Sequence, residues 1–98
     1  MKTATVVIDK ERKLAFPMMS LIRLKKEHGI QISDLQDEKK AQDMEVITAI
    51  IWAGLIHEDR ELTFEDVAYM IDLSQLPEIS KKLGEVFGEL GEVKNSQE

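Results

Sequence analysis

Residues Met44 to Ile56 read M-E-V-I-T-A-I-I-W-A-G-L-I, and only Glu45 and Thr48 among them are clearly polar. A helix that is apolar on nearly all sides must be covered by other elements or by another chain. The stretch therefore predicts a mainly α fold: a small helical domain of about four helices around a buried central helix. We expect that helix to begin at about Asp43 and to end near His57.

The composition restricts the class of protein. The chain has 98 residues, 43% of them hydrophobic and 33% charged, which is typical of one globular domain rather than a disordered chain. It has no cysteine, so disulfides and thiolate metal sites are excluded. No apolar run reaches the ~18–20 residues of a membrane helix, and Asp9 and Glu11 interrupt the short apolar N-terminus. These features predict a soluble intracellular protein.

The net charge of −6 is unevenly distributed. Residues 1–30 carry seven Lys or Arg against three Asp or Glu, whereas residues 31–98 carry six against sixteen. A small DNA-binding protein would normally show a basic stripe, and an acidic surface repels phosphate. We therefore expect no nucleic-acid partner, and we interpret the basic first third as a solvated face or as a docking surface for an acidic partner.

The N-terminus predicts a β-hairpin. Residues 3–8 are rich in β-branched side chains and indicate a strand, residues 9–12 a turn, and residues 13–16 the returning strand. A two-stranded ribbon is marginal in water, so it must lean on the helices or on another copy of the chain. The sequence leaves open whether the strands pair within or between chains.

A first helix is predicted from Pro17, placed at the first helical position, to His28, with Gly29 ending it in a left-handed turn. Residues 30–42 are interpreted as a connection. The apolar face of this helix is expected at three positions: Met18, Leu21 and Ile22.

Thr63 is predicted to cap the next helix, with Asp66 at the position that completes a capping box. The spacing i, i+3, i+4, i+7 assigns its buried stripe to Phe64, Val67, Ala68 and Ile71.

A last helix is predicted from about Pro77, with Gly84 and Gly88 inside it. These glycines indicate either a weakly held helix or a close approach of another backbone. We expect a single domain over residues 1–91 and a polar, disordered tail over residues 92–98.

The sequence offers little catalytic chemistry. The two histidines, His28 and His57, each lie at the expected C-terminus of a helix, where the imidazole interacts with the last carbonyls. Neither has a second histidine at i+3 or i+4, and no glycine-rich phosphate loop is present. We expect no catalytic residue, no metal and no cofactor, and hence a protein that is not an enzyme.

Three segments carry a family resemblance: K-K-E-H-G at 25–29, I-I-W-A-G-L-I-H-E-D at 50–59, and E-L-T-F-E-D-V-A-Y-M-I-D at 61–72. Together with the N-terminal β segment, they resemble the tail assembly chaperones of long-tailed bacteriophages and prophages. The resemblance covers about residues 5–90, and its most specific part is residues 50–72.

The resemblance implies a non-catalytic role in virion morphogenesis in the cytoplasm of the bacterial host. Such a chaperone binds the tape measure protein, keeps it soluble while the tail tube assembles, and is absent from the finished virion. A programmed frameshift often adds a C-terminal extension that recruits the tail tube protein. The codons of residues 93–95, Val-Lys-Asn, are compatible with a slippery heptamer and equally with an ordinary polar tail.

A largely helical partner suggests binding of a helix in a groove through spaced apolar anchors. The candidate partner-binding residues are the large apolar side chains beyond the needs of one core: Met18, Met19, Trp52, Tyr69, Met70 and Phe87. For Trp52 and Phe87 the core is the favoured interpretation, whereas Tyr69 and Met70 lie off the predicted stripe and are the better surface candidates. The same apolar surface could instead form a homo-oligomer, and no membrane partner is expected.

Two other functions remain open. One is an acidic regulatory or inhibitor module that binds a host protein by charge mimicry, which would require one continuous acidic face. The other is a helical DNA-binding regulator that uses the Thr63 helix. That helix carries Glu65, Asp66 and Asp72 and no basic residue, which weighs against phosphate contact.

Overall fold

A computed structural model of the protein describes residues 3–31, 33–34 and 37–95, with side chains described except at positions 38, 41 and 87–95. Within these residues, a two-stranded antiparallel hairpin is followed by helices. The elements are β1 (Thr3–Val7), β2 (Glu11–Ala15), α1 (Met18–His28), α2 (Glu38–Ala41), α3 (Met44–Leu55), α4 (Phe64–Met70) and α5 (Leu76–Asn95), with a 3-10 helix at Leu73–Gln75. The predicted small, mainly helical domain with an N-terminal hairpin is confirmed.

The two strands pair within the chain, with Thr3 opposite Ala15 and Val7 opposite Glu11. The second strand therefore begins two residues earlier than the sequence predicts. Arg12 lies in β2, and its side chain reaches back to the turn. Its Nε donates to Asp9 Oδ1 at 2.7 Å and its Nη2 to Asp9 Oδ2 at 3.0 Å. This hydrogen-bonded pair lowers the pKa of Asp9 to about 2.

Each strand of the hairpin packs against a helix. This is expected, because an isolated two-stranded hairpin is only marginally stable in water. β1 packs against α5, and β2 packs against α3. Alternate residues of β1 and its continuation, Ala4, Val6 and Ile8, are buried, and Leu14 of β2 is fully buried. The alternation is that of a ribbon with one face on the core.

The second half of α3 is buried without interruption from Ala49 to Ile56. α3 packs against α1, β2 and α4, while its first turn, at Met44 and Glu45, is exposed. Full burial of a large aliphatic side chain contributes ~1.5–3 kcal/mol, so Ile50 and Ile51 alone supply a substantial part of the stability. The Asp43 side chain caps α3 by accepting from the backbone N–H of Glu45 at 2.8 Å.

The glycine that permits close packing is Gly54 of α3. A Cβ placed there would lie 2.7 Å from Leu14 Cδ2 and 2.8 Å from Phe16 Cζ. Such distances are too short for carbon atoms, so α3 can lie this close to the hairpin only without a side chain at this position. Gly84 of α5 has nothing within 4 Å of a built Cβ. The close approach considered for Gly84 is therefore absent among the described residues.

α1 ends as predicted, because Gly29 adopts the left-handed conformation (φ 67°) and its N–H donates to Lys25 O at 2.9 Å. Its start differs, because Pro17 is extended (ψ 160°) and precedes the helix as the N-cap. The predicted apolar face of Met18, Leu21 and Ile22 is not the buried one, since the buried residues of α1 are Ser20 and Leu24. The helix carries apolar residues on two sides, and α3 packs against it.

The remaining elements refine the predicted boundaries. The segment 30–42 contains a helix, α2, that the sequence reading missed, because four residues are too few to show periodicity. α4 has the complete capping box: Asp66 N–H donates to Thr63 Oγ1, and Thr63 N–H donates to Asp66 Oδ2, each at 3.0 Å.

α5 begins at Leu76 and continues to Asn95, past the predicted domain end at residue 91 and into the segment for which the sequence predicts disorder. Residues 96–98 lie outside the described part of the chain, and the 1–91 domain boundary stays a prediction. None of the helices in the described ranges has the length and apolarity that crossing a bilayer requires.

Candidate functional site

The largest group of exposed apolar side chains on one described helix lies on α1, opposite its buried edge. Met18 is 70% exposed, Met19 62% and Ile22 41%. Residues four apart lie on the same face of a helix, so Ile22 follows Met18 one turn later, with Met19 beside them. Two of the predicted anchors, Met18 and Met19, therefore lie together at the surface, and Ile22, which was not among the predicted anchors, joins them.

An open groove of about 780 Å³ lies between this helix and the segment that follows α3. Met19, Ile22 and Ile56 supply its apolar wall, and Arg23, Lys26 and Arg60 supply positive charge. No Asp or Glu is among the described residues that line it, although the chain contains nineteen acidic residues. We call this feature the α1 groove.

Arg23 is held in place in the α1 groove by two contacts. Its guanidinium carbon lies 5.1 Å from the centre of the Trp52 ring, a distance typical of cation–π contact. Its Nε donates to Glu27 Oε2 at 2.8 Å. Lys26 and Arg60 form no ion pair with any described residue. Their charges are therefore available to a ligand, whereas that of Arg23 is shared with Glu27.

Trp52 lies in the core and is only 1% exposed. Its Nε1 donates to the backbone oxygen of Leu62 at 2.8 Å. The prediction of Trp52 as a partner-binding anchor is therefore wrong. A buried indole with its single donor satisfied is a structural residue, and it supports the groove from beneath Arg23.

The two histidines have structural contacts of different kinds. The ring of His28, the last residue of α1, lies 5.0 Å from the ring centres of both Trp52 and Phe64. His57 lies just beyond α3, and its Nε2 is 2.8 Å from Lys13 O of β2. His57 thus ties the end of α3 to the hairpin and also lines the α1 groove.

The other predicted anchors do not join the groove. Tyr69 of α4 is 84% exposed but is not among the residues that line the groove. Met70 is half-buried against the core cluster, so its expected surface position is wrong. Met70 is the last residue of α4, and the chain becomes extended at Ile71. The helical periodicity therefore does not predict whether the Met70 side chain is buried. The side chain of Phe87 lies outside the described part of the structure.

The carboxylates with lowered pKa values lie in turns and caps. The pKa of Asp34 is lowered by the backbone N–H of Gln31 and then by Lys40, and that of Asp72 by the hydroxyl and backbone N–H of Ser74. These local hydrogen bonds account for both shifts without an active site. Within the described ranges, no group of three or more His, Asp or Glu residues is arranged to hold a metal ion.

Sequence reasoning missed the groove because its two sides are distant in sequence. Lys26 and Arg60 are 34 positions apart, and only the packing of α1 against α3 brings α1 close to the segment that carries Arg60. The charge excess of residues 1–30 was the one available signal, and it could not indicate which lysine faces an apolar surface. No family model, curated protein or solved structure significantly matches this chain.

Proposed function

We propose that this protein is a tail assembly chaperone of a long-tailed phage or prophage, and that its surface on α1 binds the tape measure protein without catalysis. The observation that carries the proposal is the exposed group Met18, Met19 and Ile22 beside the α1 groove. The resemblance of residues 50–72 to these chaperones supports the particular partner.

The chemistry of this surface suits a long helical partner. Binding of a helix in a groove needs apolar anchors that accept residues spaced by one helical turn. Methionine side chains are flexible and polarisable, so they adapt to many different apolar surfaces. A chaperone that covers a long protein meets many different segments, and two adjacent exposed methionines meet that requirement better than a rigid pocket would.

Within this proposal α3 is the central scaffold, which fixes α1 on one side and α4 on another. The protein acts in the host cytoplasm, and several copies associate along one tape measure protein. A frameshifted extension beyond the described chain would recruit tail tube subunits.

Co-expression with the tape measure protein of the same genome tests the proposal. We expect the chain to increase the soluble fraction of that protein and to co-elute with it in several copies during size-exclusion chromatography with light scattering. Met19→Asp places a charge in the contact, and we expect it to weaken binding at least ~tenfold, as the loss of an interface hot spot does.

Met44→Asp is the matched control. Met44 is 55% exposed, similar to Met19, but it lies in the first turn of α3 and does not line the groove. We expect this variant to bind normally. If the tape measure protein stays insoluble with the wild-type chain, the proposal is wrong. If the two variants bind equally well, α1 is not the surface that binds the tape measure protein.

A further inference from the structure

The α1 groove combines an apolar wall with unpaired positive charge, and this combination defines the partner. We infer that the groove binds an amphipathic helix whose apolar ridge is flanked by carboxylates. This inference rests on the proposed function, since it specifies which segments of the helical partner the chaperone takes: acidic amphipathic ones.

The charge of the α1 groove favours an acidic partner. The lining has Arg23, Lys26 and Arg60 and no described carboxylate, on a chain whose net charge is −6. A locally positive surface on an acidic protein attracts acidic partners and repels basic partners. Lys26 and Arg60 pair with no described residue, so two carboxylates could bind without displacing an existing pair.

The spacing of the groove residues along α1 fits a helical partner. Met19 and Lys26 are separated by seven residues, or two turns of α1, which is ~10 Å along the helix axis. Ile22 lies between them, so the apolar contact gives way to charge along one helix. A bound helix with apolar residues at i and i+3 or i+4 and an acid on the next turn would match this order.

Arg23 is already held in position before a partner binds. The Trp52 ring and Glu27 fix its guanidinium at the groove, so its ordering upon binding costs little entropy. A fixed guanidinium can donate to both oxygens of a carboxylate in a planar arrangement, which a lysine cannot do. Arg23 would therefore select a carboxylate at a defined position along the partner helix.

The occupant is a helix of the partner rather than the long helix α5 of a second copy. α5 already uses its apolar side within its own chain, since Ile79, Leu83 and Val86 are buried and α5 packs against β1. Its polar side alone would leave the apolar wall of the groove uncovered. A partner helix that offers both an apolar ridge and flanking acids covers the whole surface.

The test uses two synthetic helical peptides of about 20 residues, long enough to form a helix in water. Both carry leucines at helical spacing, and the flanking positions are glutamate in one and lysine in the other. Trp52 is the only tryptophan and lies beneath Arg23, so its fluorescence reports on binding in the groove. We expect the glutamate peptide to shift the Trp52 emission and the amide resonances of Met19 and Ile22, and the lysine peptide to have no such effect.

Two charge-reversal variants locate the contact. Lys26→Glu with Arg60→Glu should weaken binding of the glutamate peptide about tenfold, as two rim pairs become two repulsions. Lys25→Glu with Lys81→Glu is the control, because it changes the net charge equally at exposed positions outside the groove. Lys25 also lies in the last turn of α1, so the effect of the change on the helix dipole is matched.

Three results would overturn the inference: equal binding of both peptides, equal weakening by both double variants, or concentration-dependent dimers whose interface covers Met19 and Ile22 without peptide. The last result would make a second copy the occupant. If the peptides do not bind but the chain still solubilises the tape measure protein, the inference fails and the proposed function stands. If the glutamate peptide binds but no tape measure protein is solubilised, the proposed function fails and the groove specificity stands.

Discussion

Replacing Gly54 with alanine tests the packing of α3 against the hairpin. In an open helical position this change would stabilise the helix by ~1 kcal/mol. At Gly54 the new Cβ would lie 2.7 Å from Leu14 Cδ2 and 2.8 Å from Phe16 Cζ. Overpacking of this kind costs ~1–3 kcal/mol, and Leu14 is fully buried with little room to move. We expect a net loss of about 1 kcal/mol in the free energy of unfolding.

Gly84→Ala is the matched control. Gly84 is exposed within α5 and has nothing within 4 Å of a built Cβ, so only the helix propensity acts, and we expect a gain of up to ~1 kcal/mol. Urea unfolding followed by circular dichroism measures both variants, with the dependence on urea concentration checked for equality. The same substitution should therefore change stability in opposite directions. A Gly54→Ala variant as stable as Gly84→Ala would refute the close contact.

A double-mutant cycle shows how much of the steric overlap at position 54 comes from Phe16. Phe16→Ala removes the ring that contributes the 2.8 Å contact. In that background the cost of Gly54→Ala should shrink, because only Leu14 then opposes the new methyl group. Full additivity of the two substitutions would show that the ring does not restrict this position.

Three further predictions concern the cap, the turn and the surface of α4. Thr63→Ala removes the cap of α4 and should lower the unfolding free energy by ~1 kcal/mol, measured by urea titration. The pKa of Asp9 falls from its ordinary 3.8 to about 2 in the folded chain because of Arg12. The Asp9 carboxylate therefore stabilises the fold above about pH 4, and this contribution disappears as the pH falls through 2. Accordingly, Asp9→Asn should lower the urea midpoint at pH 6 and have much less effect at pH 2. Met70→Asp should cost about 2 kcal/mol or more, because Met70 packs against the core, whereas exposed Tyr69→Asp should stay within ~0.5 kcal/mol of the wild type.

Each of these predictions has a contrary result. A Thr63→Ala variant with unchanged stability would mean that the capping box contributes nothing net. An equal effect of Asp9→Asn at pH 6 and pH 2 would mean that Asp9 does not stabilise the turn through its ion pair with Arg12. Equal stability of the Met70 and Tyr69 variants would place Met70 at the surface after all.

The sequence predicted best where a single local interaction decides the structure. The β-branched run of residues 3–8, the cap at Thr63 and the left-handed turn at Gly29 each follow from the chemistry of a few neighbouring residues. The contiguous apolar run from residue 49 likewise required burial, whatever covers it. These features concern the fold, and they were correct because local and tertiary preferences agree.

The features that sequence reading missed depend on tertiary packing. α1 carries apolar residues on two sides, and its packing against α3 decides that Leu24 is buried while Met19 is exposed. Gly54 looked like one small residue in an apolar run, and only the positions of Leu14 and Phe16 in the folded chain show why it is glycine. For the same reason the groove could not be predicted, because Arg60 lies beside α1 only in the folded chain.

Site-specific photo-crosslinking tests the central claim most directly. A photoreactive amino acid replaces Met19 or, as the control, Met44, and each variant is co-expressed with the tape measure protein and irradiated. The account predicts a covalent adduct with the tape measure protein from position 19 and little or none from position 44. Complex formation with equal adducts from both positions, or with an adduct from position 44 alone, would contradict the assignment of α1 as the binding surface.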